Sequence, residues 1–396
     1  MAADFRFIVI GCGMMGAAAA RHLSTTEEGV ALIGPNEPAD SRTHEGVFAS
    51  HYDEGRITRT IDPDPVWAAL ANRSIARYGE IEARSGIRFY HDVGCLMVAP
   101  SRSTGHRYVD NICKAADRLG VEAQVMPEEA LSSRFPYFGF EPDCEGVFEA
   151  SQAGHINPRA LVAAQAKIAR DQGVRRIEET VESVRDEDGL ALVRTVEGRT
   201  YTAEKALLAA GGFSVARSLL PEPLQMTVYG RTITFFEVLP DEAERHAGMP
   251  SLIYEPRDPR RHIYMLPPLR YPDGRLYLKI GGDPDDVILD EDRKMRQWFR
   301  DGGRAEVRDH HVQIMESLVP WIDRRRVSIG ACVVAKTPTG YPIISYTSSP
   351  RIAVLTGGCG TAAKSSDEIG RLGALLLRDG RLQDEGEAHR FSARFG

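Results

Sequence analysis

The sequence lacks the features that mark several large classes of protein. Its 396 residues contain no long run of lysine and arginine, and the formal net charge is −7, which argues against a nucleic-acid partner. No apolar run approaches the length of a membrane span, so no membrane partner is expected. The chain enters its first predicted strand almost at once, which leaves no room for a signal peptide. We therefore expect a cytoplasmic protein.

Cysteines at metal-binding or redox spacing are also missing. The six cysteines are scattered and form no C-x-x-C pair, so neither a zinc site nor a redox dithiol is predicted. The adjacent His310 and His311 have no metal-ligand spacing around them, and we predict that they lie at the surface. No bound metal is expected.

The chain opens with a strand, a glycine-rich turn and a helix. Residues 5–10 are apolar, residues 11–16 read G-x-G-x-x-G, and residues 17–23 are typical of a helix. In such a unit the glycines allow a tight turn and a close approach to a pyrophosphate, which then lies at the helix N-terminus. A nucleotide cofactor is predicted, although a tight turn in another α/β protein has the same pattern.

One part of the dinucleotide pattern is absent. An acidic residue is expected about twenty residues after the loop, where it binds the adenosine ribose. Gly34 stands at this place, followed closely by Asn36 and Glu37. Either Asn36 or Glu37 reaches the ribose, or this contact is missing.

Two later strands also end in glycine. Residues 205–212 and 352–358 are apolar runs of this kind, which suit a parallel sheet that touches a ligand at its carboxyl end. Residues 224–290 are rich in β-branched and aromatic residues and predict a mostly antiparallel sheet. We therefore predict an α/β, two-domain protein in which a Rossmann-like cofactor domain is interleaved with an antiparallel-sheet substrate domain. The predicted boundaries are 1–84, 145–220 and 325–396 for the cofactor domain, and 85–144 and 221–324 for the substrate domain.

Four further segments carry a resemblance to a known family. Residues 50–59 read Ser-His-Tyr-Asp-Glu-Gly-Arg-Ile-Thr-Arg, and residues 278–281 read Leu-Lys-Ile-Gly. Residues 332–337 read Cys-Val-Val-Ala-Lys-Thr, and residues 357–364 form a glycine-rich turn that ends in lysine. Together with the first loop, the chain resembles the D-amino-acid-oxidase-like flavoproteins, and within them the monomeric sarcosine oxidase and N-methyl-amino-acid oxidase group.

The resemblance implies FAD as the cofactor and oxidation of a secondary amine or amino acid. A hydride leaves the carbon beside nitrogen for flavin N5, the imine hydrolyses, and oxygen is reduced to hydrogen peroxide by a monomeric enzyme. The alternative within the family is a dehydrogenase that passes electrons to a carrier or quinone. The glycine loop alone would also be compatible with an NAD(P)-dependent dehydrogenase or with a nucleotide-binding sensor that is not an enzyme.

The resemblance also implies roles for individual residues. Arg59 and Lys364 correspond to the cations that bind the substrate carboxylate, and Arg56 to an arginine near the flavin face. Lys279 corresponds to a lysine that promotes the reaction with oxygen. Cys332 corresponds to the cysteine that bonds covalently to the flavin. The residues expected to contact the cofactor are Gly11, Gly13, Met14, Met15, Gly16, Gly34, Asn36, Ser50, His51, Arg56, Gly211, Cys332, Gly358, Gly360, Thr361 and Lys364.

The sequence departs from the family pattern at three places near the expected pocket. Tyr52 replaces a histidine, Asp283 replaces a second histidine, and Val334 replaces an aromatic residue. Tyr52 and Asp283 are therefore assigned with Arg56 and Lys279 to the catalytic group, and Tyr264 is assigned to the substrate pocket. These changes predict a substrate that is bulkier or more polar than sarcosine, with a second positive group that meets Asp283.

Overall fold

The computed structural model describes residues 2–382 and 389–396. Within these residues the helices are α1 Met14–Leu23, α2 Pro65–Ser85, α3 Tyr108–Leu119, α4 Glu128–Arg134, α5 Pro158–Asp171, α6 Pro240–Arg245, α7 Asp292–Asp301, α8 Ala305–Leu318 and α9 Ser366–Asp379. The strands are β1 Phe5–Ile10, β2 Val30–Ile33, β3 Arg56–Thr58, β4 Tyr90–His91, β5 Cys95–Pro100, β6 Gln124–Pro127, β7 Cys144–Glu149, β8 Gly154–Ile156, β9 Arg175–Ile177, β10 Val181–Glu187, β11 Leu190–Thr195, β12 Thr200–Leu208, β13 Thr227–Val238, β14 Ser251–Tyr254, β15 Ile263–Arg270, β16 Leu276–Gly281, β17 Val287–Ile288, β18 Val327–Lys336, β19 Ile343–Tyr346 and β20 Ile352–Thr356. Across these residues, no helix combines the length and the apolar character needed to cross a membrane.

The first sheet contains the three glycine-ended strands that the sequence predicted. Its order is β10-β11-β12-β1-β2-β9, and β20 pairs with β12 and with β19. β1 and β12 run parallel with Ile10 opposite Leu208, and β12 and β20 run parallel with Leu208 opposite Val354. The carboxyl ends of the three strands therefore lie side by side, which brings the three glycine segments to one edge.

Helices α1, α2, α5 and α9 pack against one another beside this sheet. The buried side chains of α1 are small, because residues 17–20 are all alanine. α9 approaches α1 closely at Gly370. A Cβ atom on Gly370 would touch Ala18 and the backbone of Ala19, so the contact between the two helices depends on this glycine. The predicted start of α5 is confirmed, because the Asn157 side chain accepts a hydrogen bond from the Ala160 N–H at 2.9 Å.

The second sheet is mostly antiparallel and has the order β17-β13-β16-β15-β14-β5-β7-β6, with β18 also paired to β13. β7 and β18 lie in this sheet, whereas the predicted boundaries assigned 145–149 and 327–336 to the cofactor domain. That assignment is wrong for these strands, because both pair along their length with the second sheet. β13 is flanked by β16 and β18, which places Lys279 opposite Phe235 and Cys332 opposite Arg231.

The prediction that the histidine pair lies at the surface is wrong for His311. This residue is completely buried on α8, and its ring nitrogens contact the Thr234 hydroxyl at 2.8 Å and the Gly282 carbonyl oxygen at 3.1 Å. His310 stays partly exposed beside the Arg260 carbonyl oxygen. Adjacent helix positions point in different directions, so one of the pair packs under the second sheet.

A buried carboxylate joins the four helices beside the first sheet. Asp367 on α9 accepts hydrogen bonds from Arg21 at 2.7 Å, Gln165 at 2.9 Å and Arg77 at 2.5 Å, and it contacts His22 at 3.2 Å. Burial alone would raise the pKa of Asp367, but the hydrogen bond from His22 and the charges of Arg21 and Arg77 hold this pKa well below its usual value.

Neutralising this carboxylate is expected to destabilise the protein strongly. Asp367→Asn leaves buried Arg21 without its partner, so the free energy of unfolding should fall by about 3–5 kcal/mol, measured by urea denaturation. The matched control is Asp171→Asn on the surface of α5, where the exposed pair with Lys167 is worth less than about 0.5 kcal/mol. Equal effects of the two substitutions would contradict the structural role of Asp367.

Candidate active site

One cavity of about 870 Å³ connects the glycine-rich loop to the turn before α9. Its walls come from the carboxyl edge of the first sheet and from β13, β15, β16 and β18 of the second. Most of the predicted site residues line it, namely Gly11, Gly13, Met14, Met15, Gly34, Ser50, His51, Tyr52, Arg56, Arg59, Gly211, Tyr264, Asp283, Cys332, Gly358, Gly360, Thr361 and Lys364. Gly16, Asn36 and Lys279 are predicted site residues that do not line the cavity.

The geometry of the loop after β1 suits the pyrophosphate of a dinucleotide. Gly11 has a φ of +107°, and a Cβ atom on Gly16 would overlap the carbonyl oxygen of Gly11. Gly13 is the N-cap residue of α1 and gives it no side-chain hydrogen bond. A Cβ atom placed on Gly13 would have His51 Nδ1, at 3.9 Å, as its nearest neighbour, so the space beside Gly13 is open. The first residues of α1 line the cavity, so their backbone N–H groups are placed to bind a phosphate there.

His51 stands over this loop as a neutral ring. Burial, with the nearby charges of Arg159 and Arg56, lowers the pKa of His51 to about 3. Its buried Nδ1 has no hydrogen-bond partner among the described residues. A buried polar atom without a partner indicates that a polar group of a ligand binds there, and this atom lies beside the open glycine loop.

The two candidates for the ribose contact are both outside the cavity lining. Glu37 accepts two hydrogen bonds from Arg159, at 2.6 and 2.7 Å, and Asn36 is exposed and accepts one from Arg176 at 3.2 Å. This arrangement favours the alternative in which the ribose contact is missing. Gly34 lies beneath this end, packed against Cys12.

Tyr52 lies at the same end of the cavity, which differs from its predicted place in the catalytic group. Its hydroxyl donates to the carbonyl oxygen of Asn36 at 3.4 Å, and its ring contacts His51. Tyr52 and Arg56 both line the cavity, and the catalytic role of Tyr52 stays a prediction.

Cys332 and Arg56 meet where the two sheets face each other. The Arg56 guanidinium lies 3.6 Å from Cys332 Sγ, and it donates to the carbonyl oxygens of Ser50 at 2.8 Å and Gly55 at 2.9 Å. Cys332 is partly exposed in the cavity wall, and Tyr264 lines the wall nearby. The structure thus brings the Cys332 thiol and the Arg56 guanidinium together in the cavity lining.

Lys279 is completely buried behind this group and does not reach the cavity. Its ammonium donates to Asp53 Oδ2 at 2.5 Å and to the Gly55 carbonyl oxygen at 2.7 Å. Asp53 also forms an ion pair with Arg56 and accepts a hydrogen bond from the Tyr271 hydroxyl at 2.8 Å. Burial lowers the pKa of Lys279 well below its usual value, and the permanent charge of Arg56 adds to this effect.

Arg59 and Lys364 lie together at the far end of the cavity, with a carboxylate of the protein between them. Lys364 Nζ donates to Asp62 Oδ2 at 2.5 Å, and Arg59 lies 3.6 Å from the same oxygen. Burial and the charge of Arg59 lower the pKa of Lys364 to about 8, with Asp62 opposing them. Burial alone would raise the pKa of Asp62, but Lys364 and Arg59 hold it below its usual value.

Asp283 lines the cavity and already has partners within the protein. Its carboxylate accepts the Thr232 N–H at 3.0 and 3.1 Å, lies 3.8 Å from Arg304, and is 1% exposed as a side chain. Burial raises the pKa of Asp283, although the Thr232 N–H and the nearby arginines oppose this. A substrate cation at Asp283 would have to share the carboxylate with these partners and stays a prediction.

A comparison with known families agrees with this arrangement. The family described as FAD dependent oxidoreductase matches residues 6–376 of the chain. The chain belongs to this family. Its members oxidise substrates with FAD, and this chain is accordingly an FAD-dependent oxidoreductase that acts on an amine or amino acid.

Three proteins that are similar to this chain are named as amine or amino-acid oxidases. Monomeric sarcosine oxidase from Bacillus sp. (strain NS-129) is 23% identical over 389 residues, which cover 97% of this chain and 96% of that protein. N-methyl-L-tryptophan oxidase from Yersinia pestis (strain Pestoides F) is 24% identical over 220 residues, which cover 55% and 56% of the two chains. The solved structure of a Tyr258Phe mutant of NikD, an unusual amino acid oxidase, has a TM-score of 0.80 and 18% identity, covering 100% of this chain and 98% of the other.

The sequence analysis missed the carboxylates that face the predicted cations. Asp53 and Asp62 both lie within or just after the arginine-containing segment 50–59, but neither was assigned a role. Glu255 also lines the cavity near Arg59 and was not considered. A signal was present for Asp53 and Asp62, since buried cations need counter-ions, and each lies three residues from an arginine of this segment, Asp53 from Arg56 and Asp62 from Arg59.

A methyl group on the third glycine of the loop is expected to abolish cofactor binding. In Gly16→Ala the new Cβ overlaps the Gly11 carbonyl oxygen, so the turn cannot close and the purified protein should lose at least about nine-tenths of its FAD absorbance. The control is Gly79→Ala on the exposed face of α2, where a Cβ meets nothing within 4 Å. FAD retained in full by Gly16→Ala would contradict the proposed position of the pyrophosphate.

Proposed function

We propose that this protein is an FAD-dependent oxidase of a secondary amine or amino acid. One observation carries the proposal, namely that a single cavity joins the open glycine loop to Cys332, Arg56 and Arg59. The loop suits a pyrophosphate, while the middle and far end carry fixed positive charges suited to a flavin and a polar substrate. When bound, FAD supplies the acceptor for the hydride that leaves the carbon beside nitrogen.

The protein's own residues would bind the cofactor and orient the substrate. The first-turn N–H groups of α1 would bind the pyrophosphate, and Cys332 would hold the flavin covalently. Arg56, held by the carbonyl oxygens of Ser50 and Gly55, would supply a positive charge to the flavin. Arg59, Tyr264 and Lys364 line the part of the cavity that would hold the substrate.

A covalent bond at Cys332 also accounts for the weak ribose site. Neither Asn36 nor Glu37 faces the cavity, so this end of the nucleotide has little to hold it beyond the glycine loop. A cofactor attached through Cys332 cannot dissociate, so the protein tolerates the missing contact. We propose covalent FAD on these grounds.

The proposed substrate is bulkier or more polar than sarcosine. Val334 lines the cavity where the resemblance implies an aromatic residue, which leaves more room beside Cys332. We also propose that oxygen is the electron acceptor and that the chain acts as a monomer.

One observation favours a second candidate, a dehydrogenase that passes electrons to a carrier or quinone. Lys279, the residue expected to promote the reaction with oxygen, is held by Asp53 and Gly55 and does not line the cavity. A cation that is paired with a carboxylate contributes less positive charge to the reaction with oxygen than an unpaired one. The oxidase and the dehydrogenase differ in the product formed in air.

Covalent attachment predicts that acid precipitation of the protein gives a yellow pellet. Cys332→Ser removes the thiol that forms the bond, so its pellet should be colourless and all flavin should stay in the supernatant. Cys359→Ser, which changes a cysteine outside the cavity lining, should leave the pellet yellow. A colourless pellet from the unchanged protein would contradict the covalent bond.

The choice of electron acceptor is tested by mixing the substrate-reduced protein with oxygen or with a dye. An oxidase releases hydrogen peroxide with each turnover in air. Lys279→Met should then slow flavin reoxidation by at least about 100-fold while leaving flavin reduction within a few-fold, because it removes positive charge from the oxygen reaction. Turnover with dye but without peroxide would favour the dehydrogenase, and equal effects on both half-reactions would contradict the role of Lys279.

A further inference from the structure

Asp53 is a buried carboxylate between two cations at the wall of the cavity. It is 6% exposed and does not itself line the cavity. Its Oδ2 accepts a hydrogen bond from Lys279 Nζ at 2.5 Å and forms an ion pair with Arg56. Its Oδ1 accepts hydrogen bonds from the Tyr271 hydroxyl and the Glu54 N–H, both at 2.8 Å. Both oxygens therefore have partners, which fix the carboxylate in one orientation.

Arg56 is the member of this group that reaches the cavity. Its guanidinium lies 3.6 Å from Cys332 Sγ in the cavity lining, whereas Lys279 is completely buried behind the wall. An arginine keeps its charge in proteins, so Arg56 brings a permanent positive charge to this place. Asp53 brings a negative charge to the same place, because it pairs directly with Arg56. A ligand beside Cys332 consequently meets an ion pair instead of a free cation.

Lys279 fixes Asp53 in place whatever its own charge. Burial and the charge of Arg56 lower the pKa of Lys279 well below its usual value. Its Nζ donates to Asp53 and to the Gly55 carbonyl oxygen, and an amine can donate both bonds in either protonation state. The charge beside Cys332 is therefore set mainly by Arg56 and Asp53.

Arg56 has anchors that do not involve Asp53. Its guanidinium donates to the carbonyl oxygens of Ser50 at 2.8 Å and Gly55 at 2.9 Å. Removing the negative charge of Asp53 would thus leave the guanidinium beside Cys332 with its full positive charge.

We propose that Asp53 is a positioning residue that offsets the charge of Arg56 and thereby limits how strongly a flavin held at Cys332 attracts electrons. A reduced flavin and a flavin that has added an anion both carry extra negative charge, which a nearby positive charge stabilises. A carboxylate paired with that positive charge weakens the stabilisation. The inference rests on the proposed function and deepens it, because it names the residue that tunes the flavin.

The test measures the flavin of the purified holoenzyme instead of its turnover. Sulfite adds to oxidised flavin as an anion, so its dissociation constant reports the positive charge nearby, and titration against a reference dye gives the reduction potential. The comparison is between Lys279→Met and the double variant Lys279→Met/Asp53→Asn, because neither contains a lysine that could release a proton when the carboxylate is lost. The double variant should bind sulfite at least about 10-fold more tightly and have a more positive reduction potential. It also avoids the unpaired buried lysine that Asp53→Asn alone would leave.

The matched control is Glu54→Gln in the same Lys279→Met protein. It removes the same charge at the next residue, but Glu54 pairs with Arg159 and Asn157 and does not line the cavity. The dissociation constant of sulfite should stay within about 2-fold of that of Lys279→Met.

A double variant whose sulfite affinity and reduction potential match those of Lys279→Met would overturn the proposal. Equal shifts from Asp53→Asn and Glu54→Gln would also overturn it, because the effect would then not depend on the contact with Arg56. Either result leaves the proposed oxidation intact if the yellow protein still oxidises amines. A purified protein that contains no flavin would instead contradict the proposed function.

Discussion

The buried carboxylate of Asp367 is the interaction on which the arrangement of the site depends. It accepts hydrogen bonds from Arg21 on α1, Arg77 on α2 and Gln165 on α5, while it stands at the start of α9. α1 carries the glycine loop at its N-terminus, and α9 follows the turn that ends near Lys364. A single charge therefore holds both ends of the cavity in position, because breaking a buried ion pair is far more costly than losing an exposed one.

Buried carboxylates also pair with buried cations along the cavity, in smaller groups of charges. Asp53 lies between Arg56 and Lys279, and Asp62 lies between Arg59 and Lys364. Each predicted cation is thus supplied with a counter-ion by the protein, since an unpaired charge cannot remain buried at acceptable cost. The cavity around these two groups is consequently less positive than a list of its arginines and lysines suggests, which bears on the proposed electron acceptor and substrate alike.

Much of the fold and part of the site followed from local patterns. The glycine loop, the two later glycine-ended strands and the Asn157 cap depend on short stretches of sequence, and the structure has them as predicted. β18 was assigned to the wrong sheet because its partner β13 lies about a hundred residues away, and no local pattern reports such a pairing. His311 was misplaced for a similar reason, since the burial of one helix position depends on what packs over it.

By itself, the sequence predicted a nucleotide cofactor and an interleaved α/β architecture from residue type and spacing along the chain, and its resemblance to a family implied FAD and the cations of the site. Only the tertiary structure decided which partners those cations have. Lys279 and Lys364 are both occupied by carboxylates of the protein, whereas Arg59 Nε is buried without an acceptor. The reason is physical: the charge that a ligand meets is the sum over all neighbours in space, and those neighbours come from distant segments that only folding brings together.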